Sequence, residues 1–178
     1  MSPILNFFIR IFLLMSILML MLTLFFDFLI AKPFVFQSLI FQSISFGFIM
    51  SIFMVSMQVY GLKKIGIQRI MQEDLETTRK GKFRTKLNRE EVINKLMTAL
   101  GTSNMKMNDI ENEVSWNTGI TLKSWGEKIM IKLISKTDSE YEYEISSAPL
   151  LKTTLIDGGK NIQNVNHIES IFKNTNLK

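Results

Sequence analysis

The chain has 178 residues, 47% of them hydrophobic, and a formal net charge of +5, enough for one domain or a small domain with an appendage. With no cysteine and only His167 as a histidine, it has no disulfide framework, thiolate nucleophile or cysteine-bound metal, and a poor set for zinc or histidine-based nucleophilic catalysis. Nearly every charge lies after Leu62, which excludes a wholly water-solvated globule.

The first segment is a membrane span. Sixteen uncharged residues separate Arg10 from Asp27, and eleven of them are Leu, Ile or Phe. Each is worth about −0.3 to −0.6 kcal/mol at a bilayer centre, so together they contribute about −5 kcal/mol. The expected span runs from about Phe7 to Leu29, with Arg10 and Asp27 near opposite interfaces. No small-residue cleavage site follows it, which argues against a secretory signal.

A second uncharged stretch, Pro33 to Leu62, exceeds the ~20 residues that cross a bilayer. Ala31-Lys32-Pro33 reads as a tight turn, and the second span as residues 36–60, so that 1–62 forms a transmembrane helical hairpin. Ser43, Gly47 and Ser51 recur every fourth residue and form a small-residue helix-packing face. Packing against the first helix is the favoured use of that face; the alternatives are another membrane protein or a second copy of the chain. Gln42 and Gln58 are candidates for interhelical hydrogen bonds.

Residues 61–89 carry nine Lys or Arg against three acids, a local net charge of +6, whereas ten lysines face twelve acids from Glu90 onward. Lys63, Lys64 and Arg69 therefore read as juxtamembrane anchors, and the excess of cations there places both termini in the cytoplasm. Membrane lipid is the expected partner of this region. A nucleic-acid module would carry its cations on the folded domain, so nucleic acid is not expected.

Residues 63–82 are read as a basic juxtamembrane arm. Leu62, Ile65, Ile70 and Leu75 suggest that the second helix continues into it, and Arg79-Lys80-Gly81-Lys82 reads as a flexible junction. The folded domain is expected over 83–178. Phe83, Thr85 and Leu87 alternate as a strand, and Asn88 with Glu91 forms a capping box for a helix lined by Val92, Ile93, Leu96, Met97 and Leu100 and ending at Gly101. Four strands should follow. The first carries Ile110, Val114 and Trp116 on one face and Glu111, Glu113 and Ser115 on the other; it turns at Asn117-Thr118-Gly119 into a second, with Ile120, Leu122 and Ser124. Lys128 to Ser135 is the third, and Tyr141, Tyr143 and Ile145 mark the fourth. Ile162, Val165, Ile168 and Phe172 line a closing helix. Strand, helix, four strands, helix implies an α+β domain with an antiparallel sheet covered by helices on one face.

Several constellations were weighed as chemistry. Gly158, Gly159, Lys160 and Asn161 precede the last helix and offer backbone N–H groups and a cation, the elements of an anion site. They lack the spacing of a phosphate-binding P-loop, and a capped turn explains the same residues. Trp116 and Trp125, with Tyr141 and Tyr143, fit a core better than a stacking platform. Glu111, Glu113, Glu127, Glu142 and Glu144 fit a solvated sheet face better than a carboxylate pair or hard-cation site. His167 falls off the apolar stripe of its helix and is expected to be exposed. No catalytic, metal or cofactor-binding residue emerges, and no cofactor is expected.

The stretch Ser146 to Asn161, followed by Asn164, Val165 and Ile168, resembles the ending of small uncharacterised bacterial membrane-anchored proteins. The resemblance covers the last forty or so residues and implies a sheet passing through a turn into a closing helix, with no activity attached. Where those relatives have an aromatic after the Asp, this chain has Gly158. The expectation is a non-enzymatic protein of the bacterial inner membrane whose cytoplasmic domain binds a protein partner or a small ligand. The alternatives are an accessory or immunity-type subunit acting through its transmembrane helices, and a lipid or nucleotide sensor.

Overall fold

A computed structural model describes residues 1–31, 35–100, 108–110, 113–119 and 126–173, with backbone alone at 108–110. The chain divides into two compact units, Met1–Leu75 and Glu76–Lys178.

In the first unit, α1 spans Pro3–Leu29 and α2 spans Phe36–Lys64, both long and apolar enough to cross a membrane. Ser2 caps α1 by accepting from the Leu5 N–H at 3.2 Å, and Pro3 takes the first turn, where its missing N–H costs nothing. At the other end Ala31 adopts φ 51°; Lys32 and Pro33, the rest of the expected turn, lie outside the described residues.

The two helices pack together along a stripe of α2 formed by Leu39, Ser43, Gly47, Ser51, Val55, Gln58 and Leu62. Phe8 of α1 meets Phe48 edge to face, with ring centroids 5.9 Å apart.

The expected extension of α2 into an amphipathic arm is not found. Gly66, at φ 91°, ends the helix: its N–H donates to the Lys63 carbonyl at 3.0 Å, and the Ile67 N–H reaches back to the Leu62 carbonyl at 3.1 Å. This is a Schellman cap, whose left-handed position strongly favours glycine. An irregular stretch then leads to a 3-10 turn at Gln72–Leu75, which returns to α1; Asn6 Nδ2 donates to Gln72 Oε1 at 3.4 Å and Leu75 is buried.

The second unit is an α+β domain. Strands β1 (Arg79–Thr85), β2 (Asn108–Ile110), β3 (Glu113–Asn117), β4 (Glu127–Lys136) and β5 (Tyr141–Pro149) form one antiparallel sheet in the order β1-β5-β4-β3-β2. Helix α3 (Arg89–Leu100) follows β1, and α4 (Lys160–Lys173) closes the chain. Asn88 and Glu91 make the expected capping box: the Asn88 N–H donates to Glu91 Oε2 at 2.8 Å and the Glu91 N–H to Asn88 Oδ1 at 3.1 Å.

Val92 and Leu96 of α3 and Val165, Ile168 and Phe172 of α4 join one core with Phe83, Trp116, Ile129, Ile131, Tyr143 and Ile145. Both helices therefore cover the same sheet face. Phe83 lies between two aromatic rings, 4.1 Å from Phe172 and 5.1 Å from Tyr143 by centroid.

Two boundaries differ from the expected ones. Arg79 to Lys82 belong to β1 instead of a flexible junction, because Gly81 pairs with Ile145 and its missing side chain admits α4: a Cβ there would stand 2.5 Å from Val165 Cγ1. The run from Ile110 to Trp116 holds two strands, β2 and β3, paired so that Ile110 faces Glu113. β3 pairs on its other side with β4. Gly101, Trp125 and the strand expected at Ile120, Leu122 and Ser124 lie outside the described residues.

Candidate functional site

The expected anion cradle is filled by the chain's own carboxylate. Gly158 and Gly159 take φ 59° and 77°, which turns the backbone so that Asp157 folds over the start of α4. Its Oδ1 accepts from the Gly159 N–H and its Oδ2 from the Asn161 N–H, both at 3.0 Å, and Oδ2 also accepts from Asn161 Nδ2 at 2.9 Å. Asp157 thus satisfies donors that a phosphate would use and places a negative charge at the positive end of α4.

Asn161 is fully buried and carries a structural network. Its Nδ2 also donates to the Thr77 carbonyl at 2.7 Å, and its Oδ1 accepts from Ser147 Oγ at 2.6 Å. Asn164 Nδ2 donates to the same serine at 3.1 Å. The network ties the segment before β1 to β5 and α4. Lys160, partly exposed, begins the helix.

The sheet face away from the helices carries the charge. Strand register sets Lys82 beside Glu144, Glu144 beside Lys132, and Lys132 beside Glu113, so sign alternates across four strands. Glu144 Oε1 lies 3.2 Å from Lys80 Nζ, and Glu142 lies 3.7 Å from Arg84 and 4.0 Å from Lys82. Such exposed pairs are worth about 0.2–1 kcal/mol each and serve register and recognition more than stability. The neighbouring row sets Ser115 beside Met130 and Met130 beside Ser146. Ser115, expected on a solvated face, is buried.

Glu127 departs further from that expectation. It is buried at the head of β4, where its carboxylate accepts from the Thr118 hydroxyl, and its N–H donates to Thr118 Oγ at 2.7 Å. Gly126, at φ 90°, precedes it, with the Thr118 carbonyl so close that a Cβ would come within 2.8 Å. Glu111 lies outside the described residues. Trp116 is in the core, and His167 is exposed on α4.

Between α3 and the sheet lies a cavity of about 10 Å³ lined by Arg89, Val92, Ile93, Leu96, Val114, Ile131, Leu133 and Tyr143. It has room for one water and is far too small for an acyl chain or a nucleotide base. Burial, helped by the nearby Tyr141 and Glu91 and opposed by Arg89, pushes the Tyr143 hydroxyl up to about 12.

In the first unit the stripe of Ser43, Gly47 and Ser51 faces α1. A Cβ on Gly47 would overlap Ser16 Oγ and come within 3.0 Å of the Phe12 carbonyl oxygen. Ser43 Oγ donates to the Leu39 carbonyl at 2.8 Å and Ser51 Oγ to the Gly47 carbonyl at 2.6 Å, so each hydroxyl's one hydrogen is spent within α2. Gln58 is fully buried, whereas Gln42 donates along its own helix to Ser38 Oγ at 3.2 Å. Lys63 and Lys64 are exposed in the last turn of α2 and Arg69 in the irregular stretch beyond.

The sequence reading missed Asp157 as the cap and Gly81 as the approach point for α4. An Asp two residues before a glycine at a helix start is the signal for the first. The second has no local signal, because it depends on α4 arriving from the far end of the chain. No protein-family model matches the chain, and no curated protein matches it either.

Proposed function

We propose that this is a non-enzymatic protein of the bacterial inner membrane, in which the α1–α2 hairpin is the anchor and the cytoplasmic α+β domain binds a protein partner across the charged row of the sheet face away from α3 and α4. The observation that carries this reading is the charged sheet face: among the described residues α3 and α4 share a single core on one side, and the opposite side presents the alternating row Lys82, Glu144, Lys132 and Glu113 beside the half-buried Met130. Charges of alternating sign set side by side by strand register suit recognition of a complementary protein surface.

Two further observations weigh the alternatives. Among the described residues, the cavity beneath α3 is too small for a lipid or a nucleotide. The Ser43, Gly47 and Ser51 face is occupied by α1, which counts against a subunit acting through that face on another membrane protein. Glu142 and Glu144 are engaged by Lys80, Lys82 and Arg84, an arrangement that supports binding over acid–base chemistry. The cations after α2 support a cytoplasmic domain.

The test uses the full chain in bacterial cells. The protein should resist alkaline carbonate extraction, and a reporter active only outside the cytoplasm should be silent when fused after Lys178. A photo-crosslinker at Met130 should capture a partner that one at Gln163 on α4 does not, and Lys132→Glu should abolish that capture while leaving the fold intact. Equal capture at both positions, an active reporter, or substrate turnover lost on changing one polar residue would overturn the reading.

A further inference from the structure

Tyr143 on β5 is 2% exposed, and its hydroxyl is fully shielded with no hydrogen-bond partner among the described residues. A buried hydroxyl left in that state is destabilising, and such groups in folded proteins are satisfied by protein or by an ordered water. The phenol lines the cavity between α3 and the sheet, whose volume of about 10 Å³ matches one water molecule. Arg89, in the first turn of α3, contributes to the same wall. The rest of the lining, Val92, Ile93, Leu96, Val114, Ile131 and Leu133, is apolar. A dry cavity of that kind needs no polar atom, whereas a water needs two to four polar partners.

We propose that one buried water binds between α3 and the sheet, bridging the Tyr143 hydroxyl and the Arg89 guanidinium. The water accepts from the guanidinium and exchanges a hydrogen bond with the phenol, so the phenol gains a partner in a space that excludes anything larger. It also joins the first turn of α3 to β5 through a polar contact. Wild type and Tyr143→Phe should be compared as full chains in detergent micelles at neutral pH, with the unfolding midpoint of the domain as readout. Loss of the bridge should lower the midpoint by about 4–8 °C, the shift expected for one lost hydrogen bond in a domain of this size. A midpoint that rises or does not move would overturn the proposal, because deleting an unsatisfied hydroxyl is neutral or stabilising. The second readout is electron density for a water about 2.7–3.2 Å from Tyr143 Oη in a crystal structure of the full chain; an empty site overturns the proposal even where the midpoint falls.

Discussion

Replacing Gly81 with alanine tests how closely α4 is seated on β1. The added Cβ would lie 2.5 Å from Val165 Cγ1 and 2.4 Å from Glu169 Oε1, where carbon atoms normally keep about 3.5–4.0 Å. The glutamate end can swing away at the cost of its 3.3 Å hydrogen bond from the Lys82 N–H. Val165 cannot, because it is 2% exposed and packed in the core. The helix must therefore retreat by about 1 Å or more, and overpacking of this kind costs about 1–3 kcal/mol. Exchanging glycine for alanine in a strand returns about 0.5–1 kcal/mol. The net loss is about 1–2 kcal/mol, or a fall in midpoint of about 5–15 °C for a domain near 100 residues. Tryptophan fluorescence of the full chain in detergent, followed through thermal and urea unfolding, measures it. The cause is isolated by a double-mutant cycle with Val165→Ala, which removes the clashing methyl: the double variant should be more stable than the sum of the single losses by about 1 kcal/mol. Strict additivity, or a Gly81→Ala protein as stable as wild type, would refute the close seating of α4.

The remaining predictions concern the hairpin, the cap and the phenol. Gly47→Leu should push α1 and α2 apart, since even a methyl there overlaps Ser16; a disulfide introduced across the two helices should form less readily, with the α+β domain still folded. Asp157→Ala should expose the Gly159 and Asn161 N–H groups, so inorganic phosphate should raise the variant's midpoint more than the wild type's, and equal rises would refute the capping account. Asn161→Ala should cost about 2–4 kcal/mol, because the Thr77 carbonyl and Ser147 hydroxyl lose a buried partner; urea unfolding that shows less than 1 kcal/mol, roughly one ordinary hydrogen bond, would refute the network. Tyr143, with its ionisation pushed up to about 12 from 10, stays neutral in the folded state after the unfolded chain has ionised. The folded state thus binds more protons than the unfolded one between those values, so stability falls as pH rises from about 10 to 12, by about 2–3 kcal/mol in all. Tyr143→Phe should lack that part of the alkaline loss.

Elements written in local patterns were legible. The long apolar runs placed α1 and α2, the Asn88–Glu91 pair placed the start of α3, and the alternation of Tyr141, Tyr143 and Ile145 placed β5. The misread elements depend on distant partners. Lys80 and Lys82 looked like solvated linker until Glu142 and Glu144 on β5 gave them a ladder, and Gly81 looked like a hinge until α4 required its missing side chain. Ile110 to Trp116 alternates well enough for one strand, yet β2 pairs antiparallel with β3, and the only turn-favouring residue between them in sequence is Asn112. At the candidate anion site, the donors at Gly158, Gly159 and Asn161 were visible, but the occupant stood just before them at Asp157.

Among the described strands, β1, the first in chain order, hydrogen-bonds within the sheet to β5 alone, the last of them in chain order. During synthesis Thr85 meets its cross-strand neighbour only when Tyr141 emerges, and Arg79 only when Ser147 does, so the sheet closes only after β5 has been made. For that interval the newborn strand is left unzipped beside the ribosome. Its run of Arg79, Lys80, Gly81, Lys82 and Arg84 is the composition that keeps a lone strand from sticking to its neighbours.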